Sequence, residues 1–93
     1  MNETLTVVPS GLFRKDVKRL VKRRADLNQL RITLRMLAAR QSLPAEMRDH
    51  ALIGNYRGYR ECHIEPDWLL IYCVKEDQLI LVAFRTGTHS DLY

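Results

Sequence analysis

The longest apolar stretch in these 93 residues is the seven-residue segment 68–74, and a bilayer-spanning helix needs about 20. A transmembrane helix is therefore excluded. The N-terminal segment also lacks the apolar core of a signal peptide, so the expectation is a cytoplasmic chain with no membrane partner. Only two cysteines occur, Cys62 and Cys73, and there is no Cys-x-x-Cys or His-x-x-x-His spacing. Neither a disulfide framework nor a structural zinc site is indicated; in a reducing compartment the two thiols read as small core residues, and no metal or cofactor is expected. Gly54, Gly58 and Gly87 fit neither a dinucleotide fingerprint nor a P-loop. The triplet Asn2-Glu3-Thr4 is a glycosylation pattern that matters only in a secreted chain.

What is present is a globular composition, 46% apolar and 28% charged, in a length suited to one domain spanning 1–93. The net charge of +4 is unevenly placed. Residues 11–40 carry ten basic and two acidic side chains, whereas residues 41–93 carry five basic and eight acidic ones. Such a basic block either attracts a polyanion by counterion release or is simply a solvated helix face, and charge alone supports both readings.

Periodicity organises the chain. Leu5 and Val7 alternate with Thr4 and Thr6 before Pro9, the pattern of a short edge strand. Ser10 is placed to cap a helix whose apolar positions Phe13, Val17, Leu20 and Val21 repeat with helical spacing. Asp26 and Gln29 suggest a capping box for a second helix with a stripe of Leu27, Leu30, Leu34, Leu37 and Ala38. A link of about two residues would make the two an antiparallel hairpin.

The second half turns to β-branched and aromatic residues, and strands are predicted at 56–64, 68–74 and 79–86, with turns at Glu65-Pro66 and Glu76-Asp77. The fold class is thus α+β, with the helical hairpin on one face of a small, mostly antiparallel sheet of about four strands in the order β-α-α-β-β-β. If both turns are tight, Cys62, Ile64, Leu69, Ile71, Cys73, Ile80, Val82 and Phe84 face the helices. Tyr59, Glu61, His63, Trp68, Leu70, Tyr72, Leu81, Ala83 and Arg85 then face outward, with His63, Trp68 and Arg85 in one row.

Three histidines, His50, His63 and His89, lie near turns or strand ends. An imidazole pair can take a proton from a 2′-hydroxyl and give one to a leaving 5′-oxygen, which is what RNA cleavage without a metal requires. Arg85 suits the charge developing on phosphorus, and Asp67 could orient an imidazole. An exposed Trp68 could stack on an unpaired base. Each has a plainer reading: surface histidines, a turn aspartate, a strand-end arginine and a core tryptophan.

Together these residues form a pattern. Asp49-His50 with Leu52 and Gly54, then Gly58-Tyr59-Arg60, His63, Glu65-Pro66-Asp67-Trp68 and Arg85-Thr86-Gly87-Thr88-His89 resemble the YafQ-type branch of the RelE/ParE toxin superfamily. The resemblance covers essentially the whole chain. It implies the toxin of a type II toxin–antitoxin system: a ribosome-dependent messenger-RNA endonuclease that cuts the codon in the decoding site, restrained by a cognate antitoxin. It further implies catalytic roles for His50, His63, Asp67, Arg85 and His89, with His63 and His89 as the proton-transfer pair. Substrate contact is implied for Trp68 and for a C-terminal aromatic, usually a phenylalanine one residue short of the end; here the matching aromatic is the last residue, Tyr93, whose hydroxyl departs from that pattern. The basic residues Lys18, Arg19, Lys22 and Arg23 would then dock on ribosomal RNA, and an acidic antitoxin segment could cover the same face. Oligomerisation would arise mainly through the antitoxin complex. Two other classes stay open: a ParE-like gyrase poison with the same fold, and an RNA-binding module without catalysis.

Overall fold

The computed structural model describes residues 3–93; Met1 and Asn2, the latter the acceptor of the Asn2-Glu3-Thr4 triplet, lie outside them. The elements are β1 (Thr6–Pro9), α1 (Gly11–Lys22), α2 (Asn28–Ala38), β2 (His50–Ala51), β3 (Arg60–Glu65), β4 (Trp68–Lys75), β5 (Ile80–Gly87) and α3 (His89–Leu92). One-turn 3-10 helices at Ala45–Met47 and Gly54–Tyr56 flank β2. The sheet has the order β1-β5-β4-β3-β2, with β1 parallel to β5 and the other pairs antiparallel. The α+β class holds with five strands rather than about four: the two-residue β2 adds an edge beyond β3. Residues 56–59, suggested as strand by the sequence, instead form the end of the second 3-10 helix and a turn, and β3 begins at Arg60.

Local chemistry explains the helix starts. Ser10 caps α1 as expected: its Oγ accepts from Phe13 N (3.0 Å) and donates to Phe84 O (2.6 Å), tying the helix to β5. Asp26 does not make the expected capping box. Its Oδ1 accepts from Asn28 N, and α2 begins two residues later. The link between the helices is five residues, 23–27, rather than about two, with Arg24 in the left-handed region.

Core residues Leu5, Phe13, Leu20, Leu30 and Leu37 pack with Cys62, Trp68, Leu70, Tyr72, Leu81 and Ala83 between helices and sheet. The opposite face is not open. A second cluster of Leu69, Ile71 and Leu92, with Leu52, Tyr56, Tyr59 and Phe84 around it, covers part of it.

This corrects the facing pattern drawn from tight turns. On β3 the expectation stands, with Ile64 and Cys62 toward the helices. On β4 and β5 it inverts: Leu69, Ile71 and Phe84 face away, whereas Trp68, Leu70, Tyr72, Leu81 and Ala83 face the helices. The turn is made by Pro66 and Asp67, and a register shift between His63 and Glu65 gives an odd net displacement, which moves every later side chain to the other face. A second shift, where Ala83 pairs with Tyr72 but Arg85 with Ile71, leaves Phe84 as the extra residue and returns Arg85 to the row of Ile71. The expected row His63–Trp68–Arg85 does not exist; His63 pairs with Leu69, and Leu69 with Gly87.

Candidate active site

The first part of the site is built by strand register. His50 on β2 is the Cα partner of Glu61 on β3, and His63 lies two residues further along, so period two places all three side chains on one face. Asp49 anchors the His50 segment by accepting from Tyr72 Oη (2.5 Å) and Arg60 Nε (3.3 Å). His50 Nε2 stands 3.6 Å and His63 Nε2 4.0 Å from the same Glu61 oxygen, Oε1. The other ring nitrogens face backbone carbonyls: His50 Nδ1 lies 2.5 Å from Arg48 O, and His63 Nδ1 3.2 Å from Pro66 O. A carbonyl only accepts, so each Nδ1 carries the hydrogen, and Nε2 is the nitrogen free to exchange a proton.

The second part comes from the chain end. Gly87, across β4 from His63, opens a turn that folds residues 88–93 back over the sheet, bringing the His89 ring to 6.0 Å from that of His63. Thr88 caps α3 in a capping box with Asp91. Asp67 Oδ1 accepts from both His89 N (3.1 Å) and His89 Nδ1 (2.7 Å), and these bonds hold the Asp67 carboxyl below its ordinary range. Asp67 therefore orients an imidazole, as the sequence suggested, and that imidazole is His89. The Tyr93 ring meets Tyr56 edge-on at 5.6 Å and lies 6.4 Å from the His89 ring. Tyr93 as a whole is 61% exposed, but its hydroxyl turns inward and donates to Glu61 Oε2 at 2.5 Å; local desolvation of the hydroxyl, then this bond, pushes the phenol above its ordinary pKa.

Two expected site residues sit elsewhere. Trp68 is 6% exposed inside the helix-side core and donates through Nε1 to Thr86 Oγ1 (2.9 Å), so the exposed stacking position is corrected to a core one. The cause is the register shift already described. Arg85 remains on the outer row, but its guanidinium is held: Nε donates to Asp16 Oδ2 (2.7 Å) and Nη2 to Asp16 Oδ1 (3.0 Å). Asp16 is 1% exposed and also accepts from Thr86 N.

The basic face of α1 divides. Arg23 makes a two-bond fork to Asp91, and Arg19 lies 3.5 Å from Asp16 and 3.7 Å from Asp91. Lys18 and Lys22 are exposed, with no ion pair among the described residues. Arg23 chiefly serves the fold here.

Sequence reasoning passed over Glu61, Asp16 and Asp91 as functional groups. Glu61 was already on the face of His63 by alternation. Asp16 stands between Phe13 and Leu20 on the apolar stripe of α1, where a carboxylate requires a buried partner. Asp91 follows Thr88 by three residues, the spacing of a capping box. Beside His63 lies an open cavity of about 270 Å³, walled by Met47, Arg48, Ile64, Glu65 and Pro66. Cys62 is buried, and that burial pushes its thiol up to about 12. No described helix is long and apolar enough to cross a membrane.

Known proteins share this architecture. The family model for the bacterial toxin of type II toxin–antitoxin systems, YafQ, matches residues 5–93. The mRNA interferase toxin YafQ of Escherichia coli strain K12 is 45% identical over 85 residues, 90% of each chain. The toxin in the crystal structure of the E. coli DinJ-YafQ toxin–antitoxin complex superposes with a TM-score of 0.86 at 41% identity, over 97% of this chain and 98% of that one. A metal-bound toxin from Helicobacter pylori gives 0.90 at 42% identity, over 96% and 99%. Among the described residues no three His, Cys, Asp or Glu side chains converge as metal ligands. The chain belongs to the YafQ family of toxins of type II toxin–antitoxin systems.

Proposed function

We propose that this toxin is a messenger-RNA endonuclease that cuts the codon in the ribosomal decoding site by general acid–base chemistry. The observation that carries the reading is the pair of imidazoles from distant segments, His63 and His89, with rings 6.0 Å apart, each with its Nδ1 engaged by a fixed acceptor. That leaves two Nε2 atoms near one surface to exchange protons. One takes the 2′-hydroxyl proton as the 2′-oxygen attacks phosphorus, and the other protonates the departing 5′-oxygen. The products are a 2′,3′-cyclic phosphate and a 5′-hydroxyl. Each proton transfer contributes on the order of 10² to 10⁴ in rate.

His50 shares Glu61 with His63 and supports that imidazole. Arg85 keeps a phosphate contact through Nη1, since Asp16 engages Nε and Nη2. The cavity beside His63 has room for a nucleobase against Met47, Ile64 and Pro66. Lys18 and Lys22 are exposed α1 cations available to ribosomal RNA. A relative named mRNA interferase toxin, and another solved with the DinJ antitoxin, support the activity and a cognate antitoxin as partner. The setting is the cytoplasm, where ribosome and message meet.

The test is to map the 5′ ends of messages after brief induction, and of one message incubated with purified ribosomes and toxin. Cuts in phase with the reading frame, lost in His63→Ala and His89→Ala variants that still fold, are expected. Intact message would reject the nuclease and favour the gyrase poison or the passive RNA binder.

A further inference from the structure

Helix α3 is four residues long, far below the length at which a helix holds itself together. The position of His89 relative to His63 is therefore set by what ties α3 down. At its start are the Thr88 cap, Asp67 and the Arg23–Asp91 pair. At its end, Leu92 enters the second cluster and its carbonyl accepts from Tyr56 Oη at 3.4 Å. The remaining tie is Tyr93 Oη to Glu61 Oε2, and among the end-of-helix ties it is the one that lands on the strand carrying His63. Glu61 and His63 are two residues apart on one face of β3. A bond to Glu61 thus gauges α3 directly against the His63 imidazole.

Building on the nuclease reading, we propose that Tyr93 is a positioning residue whose hydroxyl, latched on Glu61, sets the separation of the two proton-transferring imidazoles. The two carboxylate oxygens divide the work: Oε2 holds Tyr93, while Oε1 faces His50 and His63. Phenylalanine, the aromatic that the family resemblance leads one to expect at the chain end, could fill the space beside Tyr56 but could not donate this bond. The latch is thus a feature of this chain's own tyrosine.

The test compares wild type, Tyr93→Phe, Glu61→Gln, Glu61→Ala and the Tyr93→Phe/Glu61→Ala double variant. In the free protein, ¹⁵N order parameters for residues 89–93 and the nuclear Overhauser contact between the His63 and His89 rings report the latch. Both should weaken in Tyr93→Phe and Glu61→Ala, weaken no further in the double variant, and persist in Glu61→Gln, whose amide oxygen still accepts. With ribosomes and message, Tyr93→Phe should lower kcat on the order of tenfold with KM within about twofold, because misplacement taxes turnover rather than binding. Unchanged order of α3 in Tyr93→Phe, or losses that add in the double variant, would overturn the latch. Should wild type cut no message, the nuclease reading fails by itself and the ordering measurements still decide the latch.

Discussion

Arg23 and Asp91 are 68 residues apart in sequence, and their side chains meet in two parallel hydrogen bonds of 2.7 and 2.9 Å. The guanidinium holds the Asp91 carboxyl well below its ordinary range. The residue at the C-cap of the basic helix thereby fastens the element that carries His89.

Arg23 and its lysine neighbours should consequently fail differently. Lys18→Ala and Lys22→Ala are expected to weaken ribosome binding and to flatten its salt dependence by about one unit of slope each, as lost phosphate contacts do. Arg23→Ala should leave the salt slope nearly unchanged and reduce turnover instead. Binding measured from 50 to 300 mM salt, alongside single-turnover cleavage, distinguishes the two; equal slopes for all three variants would refute the division.

Asp16 anchors Arg85 and the Thr86 amide from inside the structure. Asp16→Ala removes the carboxylate bonded to that guanidinium and should destabilise the fold by roughly 3 kcal/mol, the range for breaking a buried pair. Asp16→Asn, which keeps an acceptor oxygen, should cost less. Urea denaturation of both variants gives the comparison, and a loss below about 1 kcal/mol in Asp16→Ala would show the pair to be dispensable.

Gly87 has φ +154°, and a Cβ placed there would come 2.9 Å from Asp91 Oδ2. Gly87→Ala should therefore push Asp91 out of its cap and displace α3, at about 1 to 3 kcal/mol for backbone strain. The expected signature is a fall in cleavage together with loss of the His63–His89 ring contact. A variant with normal turnover would mean that the turn has slack the geometry does not suggest.

Acid should undo the same region. Asp91 and Asp67 are both depressed in the folded protein, by Arg23 and by His89 respectively. A depressed carboxylate contributes stability that is fully present above its unfolded pKa of about 3.9 and is lost as pH falls through the folded value. The docking of α3 is expected to be intact at pH 5 and to fail progressively below about pH 4. Near-ultraviolet circular dichroism of the Tyr56–Tyr93 pair follows this; Asp91→Asn should already be loosened at pH 5.

Much of the site was legible from residue order. The motif residues His63, Asp67 and His89 do meet, and alternation alone placed Glu61 beside His63. What failed was the carrying of a face across turns. One odd register shift, between His63 and Glu65 just before the Pro66-Asp67 turn, was enough to move Trp68 from a surface stacking position into the core. The Ser10 cap held because it closes within one turn, from Ser10 to Phe13, whereas the box at Asp26 depended on where α2 chose to begin.

Period and composition by themselves determined the α+β class, the amphipathic helices, the parity of β3 and the concentration of positive charge before residue 41. Those properties are local: each follows from the spacing of neighbours along one element. Tertiary structure alone decided that Asp16 neutralises much of Arg85, that Arg23 serves Asp91 and that Tyr93 reaches Glu61. Each of those contacts spans at least 32 residues, and its existence depends on sheet register and on a helix too short to place itself, neither of which residue spacing encodes.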